Sequence, residues 1–131
     1  MNPQILYVDD EQENLDSFQL VFMLDYNIHI AKSAKEGMEI LSKNQNSSNK
    51  IQLVITDQRM PGISGIEFLD KVNAKFPNVV KILLTGYSDA NIVEYAMNKA
   101  KVFSYVTKPW DEQQLKKTID QALQKFQTTA H

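Results

Sequence analysis

Carboxylate side chains follow two apolar runs of the sequence, at points where a buried strand would end. Asp9 and Asp10 come after the run "ILYV", and Asp57 comes after "LVIT" and shortly before a Met-Pro-Gly break. A carboxylate in such a place can cap a helix, bind a metal ion or act as a nucleophile. The choice among these roles depends on which other groups the fold brings beside it.

A hydroxyl and an amine stand at the ends of two later apolar runs. Thr85 ends "VVKILLT" and precedes Gly86, while Lys108 follows "VFSYVT" and precedes Pro109. The carboxyl ends of parallel strands meet along one edge of a sheet, so these groups are expected to converge with the carboxylates. Lys108 would then offer a positive charge, Thr85 a hydroxyl donor and Gly86 an unobstructed backbone amide.

Three converging carboxylates repel one another unless one takes a proton or a cation neutralises them. The predicted ligands are oxygens, with no His or Cys beside them, and such a set favours a hard ion such as Mg²⁺. Once its charge is neutralised, Asp57 can attack a phosphoryl group and form an acyl phosphate. The sequence therefore predicts a Mg²⁺-dependent phosphoryl-transfer site with Asp57 as the nucleophile.

The elements that would position these groups are short apolar strands alternating with amphipathic helices. Strand patterns cover Ile5–Val8, Ile28–Ala31, Leu53–Thr56, Val79–Thr85 and Val102–Thr107. Between and after them, apolar residues recur every three or four positions, which predicts five helices, the last ending near Phe126. Helix starts are predicted where a polar residue has an acid or amide three residues later, at Ser33, Ser64 and Asp111.

This alternation predicts a doubly wound α/β fold with a parallel five-stranded sheet and helices on both faces. The second strand ends without a polar functional group, which fits an edge position in the strand order 2-1-3-4-5. Strands one, three and four would then lie side by side and bring their polar ends together. The polar segment Ser42–Lys50 is interpreted as a solvated loop after the second helix.

Composition and charge restrict the classes of function. The chain has 131 residues, which suits one domain, and no cysteine, which excludes disulfides and thiolate chemistry within it. Its 14 basic and 16 acidic residues leave a formal charge of -2, which argues against direct nucleic-acid binding. Neither a signal peptide nor a run of about 18 apolar residues occurs, so a cytoplasmic protein without membrane association is expected.

Four motifs carry a family resemblance: "YVDDE", "ITDQRMPGISG", "LLTGYSD" and "VTKPW". In this order and spacing they resemble the receiver domain of two-component response regulators, over nearly the whole chain. The resemblance implies a (βα)5 flavodoxin-like fold, with residues 1–127 as the receiver domain and 128–131 as a C-terminal tail. It also implies that Asp57 is the phosphoacceptor, loaded from a phosphohistidine on a sensor histidine kinase or a histidine phosphotransfer protein. Such a domain catalyses only its own phosphorylation and dephosphorylation and is not otherwise an enzyme.

The resemblance further implies a ligand set for Mg²⁺. Asp10 and Asp57 would bind the ion directly, Asp9 would bind it through a water molecule, and the backbone carbonyl of Arg59 would complete the protein ligands. Arg59 and Tyr87 are each two residues beyond a predicted site residue and should border the site. Bulky side chains there would obstruct the water that attacks the phosphoryl group.

A conformational switch is expected from the positions of Thr85 and Tyr105 on neighbouring strands. Phosphorylation adds about two negative charges beside Thr85. The Thr85 hydroxyl would move toward the phosphoryl group, and the Tyr105 ring would turn inward into the vacated space, as in receivers that this sequence resembles. The face of the fourth helix, fifth strand and fifth helix would change shape and serve a homodimer or an output partner. Its proposed contact residues are Ile92, Val93, Tyr95 and Lys99.

Three other functions fit the sequence less well. A P-loop nucleotidase requires a Gly-rich loop ending in Gly-Lys-Ser/Thr, which does not occur in the sequence. A phosphatase of the haloacid dehalogenase type usually has a second acid two residues after its nucleophile, where this chain has Arg59. A receiver-shaped binding module that works without phosphorylation would normally lack part of the acid set or the lysine.

Two of the motifs concern whether the receiver is part of a longer protein. The variants "TGYSD" and "KPW" are similar to those of receivers joined to larger output domains, including cyclic-dinucleotide phosphodiesterases. The chain is therefore interpreted either as a single-domain regulator or as the N-terminal part of a longer one. His29 and His131 are interpreted as surface residues without a chemical role, and Lys108-Pro109 is a candidate cis peptide bond.

Overall fold

The alternation of short apolar runs with amphipathic segments produces a sheet covered by helices on both faces. The structure is a computed structural model that describes residues 2–86 and 90–129, with the backbone alone at positions 90, 92 and 129. Within these residues the five strands are β1 (Gln4–Val8), β2 (Asn27–Ala31), β3 (Ile51–Asp57), β4 (Val80–Thr85) and β5 (Ser104–Thr107). The five helices of the same residues are α1 (Gln12–Phe22), α2 (Ala34–Asn44), α3 (Gly65–Lys75), α4 (Ala90–Asn98) and α5 (Glu112–Thr129).

The strand pairings are parallel, and the order across the sheet is β2-β1-β3-β4-β5. The predicted doubly wound α/β class and the predicted strand order are therefore confirmed. β3 lies at the centre, between β1 and β4, and it is almost entirely buried because helices cover both of its faces. This order places the carboxyl ends of β1, β3 and β4 side by side, along what we call the carboxyl edge of the sheet.

Two apolar clusters hold the helices on the sheet, one on each face. Successive residues of β3 alternate between them: Val54 belongs to the cluster that includes α2 and α3, whereas Leu53 and Ile55 belong to the cluster that includes α1 and α5. In the second cluster the rings of Tyr7 and Phe18 are stacked, with 4.1 Å between their centroids. Packing on both faces therefore holds the strands in place, and with them the residues at the carboxyl edge.

Several element boundaries differ by a few residues from the sequence-based expectation, among them the end of α5 and the start of β5. α5 continues to Thr129, so the prediction that it ends near Phe126 is wrong. The polar residues after Phe126 add nothing to an apolar stripe, but no Gly or Pro among them stops the helix. The fifth strand begins at Ser104 instead of Val102, because the turn before it contains Lys101 in a left-handed conformation, with φ of 55°.

The connections around α2 and α3 also show how polar side chains set element ends. The predicted loop Ser42–Lys50 is shorter than expected, because α2 continues to Asn44. The Asn44 side-chain oxygen then accepts from the N–H of Ile51 at 2.7 Å and so anchors the start of β3. The predicted helix starts have the expected side-chain to backbone hydrogen bonds at Ser33, Ser64 and Asp111. Among the described helices, none combines the length and apolar content that crossing a bilayer requires.

Candidate functional site

Three carboxylates meet at the carboxyl edge of the sheet. Asp9 and Asp10 follow β1, Asp57 ends β3, and one oxygen of each lies within 4.8 Å of the others. Asp9 and Asp57 are buried, while Asp10 is partly exposed. The structure brings them together because β1 and β3 are paired neighbours in the sheet. A set of carboxylate oxygens at this spacing fits a hard divalent ion such as Mg²⁺.

Asp57 forms an ion pair with Lys108. The Nζ of Lys108 is 3.2 Å from Oδ1 of Asp57, and the Asp57 side chain is 11% exposed. Burial raises the pKa of Asp57 above its ordinary value, the positive charge of Lys108 opposes this rise, and the negative charge of Asp9 adds to it. The charge of Asp57 therefore depends on nearby cations, which suits a group that binds a metal ion and then a phosphoryl group.

The ends of β4 and β5 position Thr85 and Lys108. The backbone N–H of Lys108 donates to the backbone oxygen of Thr85 at 2.8 Å, and the peptide bond between Lys108 and Pro109 is cis, as predicted. Thr85 is buried at the end of β4, one residue beyond Leu84, which is the residue paired with Asp57. Thr85 thus lies at the same edge as Asp57, on the neighbouring strand.

Asp9 accepts three hydrogen bonds from the described residues, and two of the donors are side chains that the sequence patterns did not indicate. The Tyr7 hydroxyl donates to Oδ2 at 2.9 Å, and the Asn14 side-chain amide donates to the same oxygen at 3.1 Å. The backbone N–H of Glu11 donates to Oδ1 at 3.0 Å, so Asp9 also satisfies one amide at the start of α1. The signal for Tyr7 was its place two residues before Asp9, since alternate residues of a strand share a face.

The connection between β3 and α3 approaches Asp57 closely. A Cβ atom at Gly65 would lie 2.3 Å from the backbone oxygen of Asp57, so only glycine fits there without a shift of the backbone. The N–H of Gly65 donates to the backbone oxygen of Gln58 at 2.9 Å, and the Gln58 side-chain oxygen accepts from the N–H of Ile66 at 3.0 Å. These contacts fix the end of β3, and the second glycine of "PGISG" was their sequence signal.

The structure describes three further candidate residues. Arg59 is exposed two residues after Asp57, and the Tyr105 ring on β5 is 38% exposed. His29 is half-buried on the edge strand β2, where it contacts Gln4. Tyr87 and His131 lie outside the described residues.

The face formed by α4, β5 and α5 exposes apolar side chains. Tyr95 and Met97 on α4 are 42% and 41% exposed, and Tyr105 on β5 is 38% exposed. Val93 is half-buried and Lys99 is exposed, while the side chain of Ile92 lies outside the described part of the chain. The predicted contact face therefore contains large apolar side chains that remain accessible to a partner.

Comparisons with known proteins agree with this geometry. A family model described as the response regulator receiver domain matches residues 5–120. The hydrogenase transcriptional regulatory protein HoxA of Cupriavidus necator is 31% identical over 120 residues, which are 92% of this chain and 24% of HoxA. The chain thus spans about a quarter of the length of this curated relative.

Two solved structures are similar to this chain over almost the whole length of both proteins. A response regulator receiver domain protein from Clostridium thermocellum has a TM-score of 0.88 and 32% identity, covering 97% of this chain and 98% of that one. The signal receiver domain of an HD domain-containing protein from Pseudomonas fluorescens Pf-5 has a TM-score of 0.88 and 29% identity, covering 98% of this chain and 92% of that one.

Proposed function

Because the chain belongs to the response regulator receiver domain family, we propose that Asp57 is its phosphoacceptor. The observation that carries this proposal is the ion pair of Asp57 with Lys108 inside a group of three carboxylates. Asp57 is close both to a cation and to two further carboxylates. Its side chain therefore lies near a charge that can hold phosphoryl oxygens and near oxygens that can hold a metal ion.

In the proposed reaction, an oxygen of Asp57 attacks the phosphorus of a phosphohistidine on a sensor histidine kinase or a histidine phosphotransfer protein. The P–N bond breaks with its electron pair remaining on the histidine nitrogen, and Asp57 becomes an acyl phosphate. Lys108 balances charge on the phosphoryl oxygens, while the Thr85 hydroxyl and the Gly86 amide donate hydrogen bonds to them. Attack by water later releases phosphate and restores the carboxylate, so the domain acts on itself alone.

Receiver domains bind Mg²⁺ at an acidic cluster of the kind formed here by Asp9, Asp10 and Asp57. We infer that Asp10 and Asp57 contact the ion directly, that Asp9 does so through water, and that the backbone carbonyl of Arg59 completes the protein ligands. When bound, the ion supplies positive charge to the carboxylates and to the incoming phosphoryl oxygens. The affinity for Mg²⁺ should be weak before the phosphoryl group is bound, because Mg²⁺ at a site with few carboxylate ligands keeps several waters.

Labelling with a small phosphodonor tests the assignment of Asp57. The chain is incubated with acetyl phosphate and Mg²⁺, and the modified residue is mapped by mass spectrometry. We expect a gain of one phosphoryl group on the wild type and none on Asp57→Asn. The matched control is Asp16→Asn, which changes an exposed acid on α1 and should be labelled normally. Undiminished labelling of Asp57→Asn would contradict the proposal.

The exposure of the Tyr105 ring supports the proposed switch, because an exposed ring is in the outward position from which it would turn inward when Thr85 moves toward the phosphoryl group. A ligand shifts such an equilibrium only by its differential affinity for the two states, so partial switching without phosphate is expected. Side-chain NMR signals of Tyr105, recorded with and without beryllium fluoride as a phosphoryl mimic, should differ. Unchanged signals from Tyr105 and Thr85 would contradict the coupling and leave the phosphorylation chemistry standing.

We infer that the face of α4, β5 and α5 transmits this change to a homodimer partner or an output partner. HoxA is a transcriptional regulatory protein and the Pseudomonas relative has an HD domain, so receivers of this kind serve different outputs. The proposed receiver domain is residues 1–127, acting in the cytoplasm either alone or as the N-terminal part of a longer regulator. Light scattering with and without beryllium fluoride separates a switch-dependent homodimer from a monomer.

A further inference from the structure

The Asp9 carboxylate has most of its hydrogen-bonding capacity occupied by the protein. A carboxylate offers about four acceptor positions, two on each oxygen. Oδ2 accepts from both the Tyr7 hydroxyl and the Asn14 amide, which fills it, and Oδ1 accepts from the N–H of Glu11. Among the described residues, these donors leave a single acceptor position, and it is on Oδ1.

The groups that donate to Asp9 are themselves held in place. The Tyr7 ring is buried and stacked on Phe18, with an angle of 9° between the two planes. Asn14 lies in the first turn of α1, and the N–H of Glu11 belongs to the backbone just before that helix. Rotation of the Asp9 carboxylate would break at least one of these hydrogen bonds, so its orientation is set before any ion arrives.

A carboxylate with one available position suits some divalent ions better than others. Ca²⁺ takes about six to eight oxygen ligands, often from carboxylates that bind through both oxygens. Mg²⁺ takes six ligands in near-octahedral geometry and usually keeps several waters. Fixing Asp9 so that Oδ2 cannot turn to the ion removes the two-oxygen mode and leaves one contact, made through a water as in the proposed Mg²⁺ site.

We propose that Tyr7 and Asn14 are positioning residues that make the acidic cluster select Mg²⁺ over Ca²⁺, because they confine Asp9 to one Oδ1 contact. This inference rests on the proposed Mg²⁺ site of the phosphoacceptor function. The other two carboxylates have different surroundings: Asp57 is held by Lys108, and Asp10 is partly exposed and can adjust to the ion. Asp9 is therefore the cluster carboxylate whose binding mode the fold determines.

The test measures ion binding without a phosphodonor. Affinities for Mg²⁺ and for Ca²⁺ are determined by isothermal titration calorimetry on the full chain and on Tyr7→Phe, which retains the stacked ring and loses the hydroxyl. We expect the ratio of Mg²⁺ to Ca²⁺ affinity to fall by about tenfold, since outer partners of metal ligands commonly affect binding to this degree. Tyr26→Phe is the matched control, because its hydroxyl bonds Asp120 away from the cluster and its loss should leave the ratio unchanged.

Asn14→Ala gives an independent measurement on a partly exposed helical residue, where alanine favours the helix. It should shift the ratio in the same direction as Tyr7→Phe. A ratio equal to that of the wild type in both variants would overturn the inference, even if Asp57 is phosphorylated normally. A shifted ratio in a chain that acetyl phosphate does not label would support the inference and contradict the phosphoacceptor function. Lack of binding of either ion by the wild type would overturn both.

Discussion

Charged side chains are buried at the carboxyl edge of the sheet and also at the opposite side, where the strands begin, which we call the amino edge. The surroundings of these charges differ. At the carboxyl edge, Asp57 pairs with Lys108 at 3.2 Å and Asp9 accepts three hydrogen bonds. At the amino edge, Lys81 in the second position of β4 is 3% exposed, and its ammonium donates to the backbone oxygen of Val79 at 3.0 Å. Two further lysines, Lys101 and Lys125, are close enough for their positive charges to act on Lys81.

The two edges therefore place their charges in opposite electrostatic environments. The pKa of Lys81 is lowered from 10.5 to about 8, mainly by burial and in the same direction by the charges of Lys101 and Lys125. At the carboxyl edge, opposite charges and polar donors compensate the buried carboxylates. A perturbed pKa alone thus does not identify a functional site, whereas complementary groups that converge on a shared space do.

Breaking the pairing at the carboxyl edge should have the largest effect. Lys108→Met removes the cation beside Asp57, and we expect labelling by acetyl phosphate to slow about a hundredfold, because charge on the phosphoryl oxygens loses its fixed partner. Quantitative mass spectrometry over time measures the rate. Lys117→Met, an exposed lysine on α5, is the control and should react as the wild type does. A Lys108→Met rate close to that of the wild type would show that the pairing has no part in the chemistry.

Crowding the carboxyl edge should be the next most severe change. Gly65→Ala places a methyl group against the backbone oxygen of Asp57, which requires a shift of β3 or α3. We expect the free energy of unfolding to fall by about 2 kcal/mol. Gly86→Ala is the comparison, since a Cβ atom there has no neighbour within 4 Å among the described residues. Urea denaturation of the two variants should therefore give clearly separated midpoints, and equal midpoints would contradict the close contact.

Removing the buried positive charge at the amino edge should stabilise the protein. Because the folded-state pKa of Lys81 is about 8 and the ordinary value is 10.5, the unfolded chain binds more protons between these values. Wild-type stability should consequently rise as pH increases from about 7 to about 9.5. Lys81→Met should be more stable than the wild type at pH 7, by about 2 kcal/mol, and this advantage should shrink as pH rises.

Urea denaturation at several pH values below 10, where ordinary tyrosines remain protonated, measures this difference. Lys71→Met, at an exposed position of α3, should follow the wild-type pH dependence. A pH-independent difference between Lys81→Met and the wild type would mean that the ammonium is not the source of the effect.

The smallest effect is expected at the rim of the carboxyl edge. Arg59 is exposed beside the site, and its side chain should partly obstruct the water that attacks the acyl phosphate. Arg59→Ala should speed dephosphorylation by about threefold, which corresponds to under about 1 kcal/mol. Decay of the labelled protein after removal of acetyl phosphate measures the rate. A decay rate identical to that of the wild type would assign the lifetime to groups other than Arg59.

Local patterns in the sequence were sufficient for the architecture and for most of the site. Apolar runs of a few residues and helical stripes predicted the strands, the helices and their order, because each of these signals is contained in a short window. The polar residues that end the strands could be assigned to one edge, since parallel strands share their carboxyl ends. The end of α5 was missed, because its last residues at Gln127–Thr129 carry neither an apolar stripe nor a helix-breaking residue.

The sequence by itself determined which chemical groups would face one another: Asp9, Asp10 and Asp57 as carboxylates, and Lys108 as their cation. Only the tertiary structure decided how they are held. The hydrogen bond from Asn14 to Asp9 depends on how α1 begins beside β1, and the close approach of Gly65 to Asp57 depends on the path of one connection. The burial of Lys81 depends on the packing around β4. Such contacts arise from distances of a few ångströms between elements, and residue spacing along a chain does not encode those distances directly.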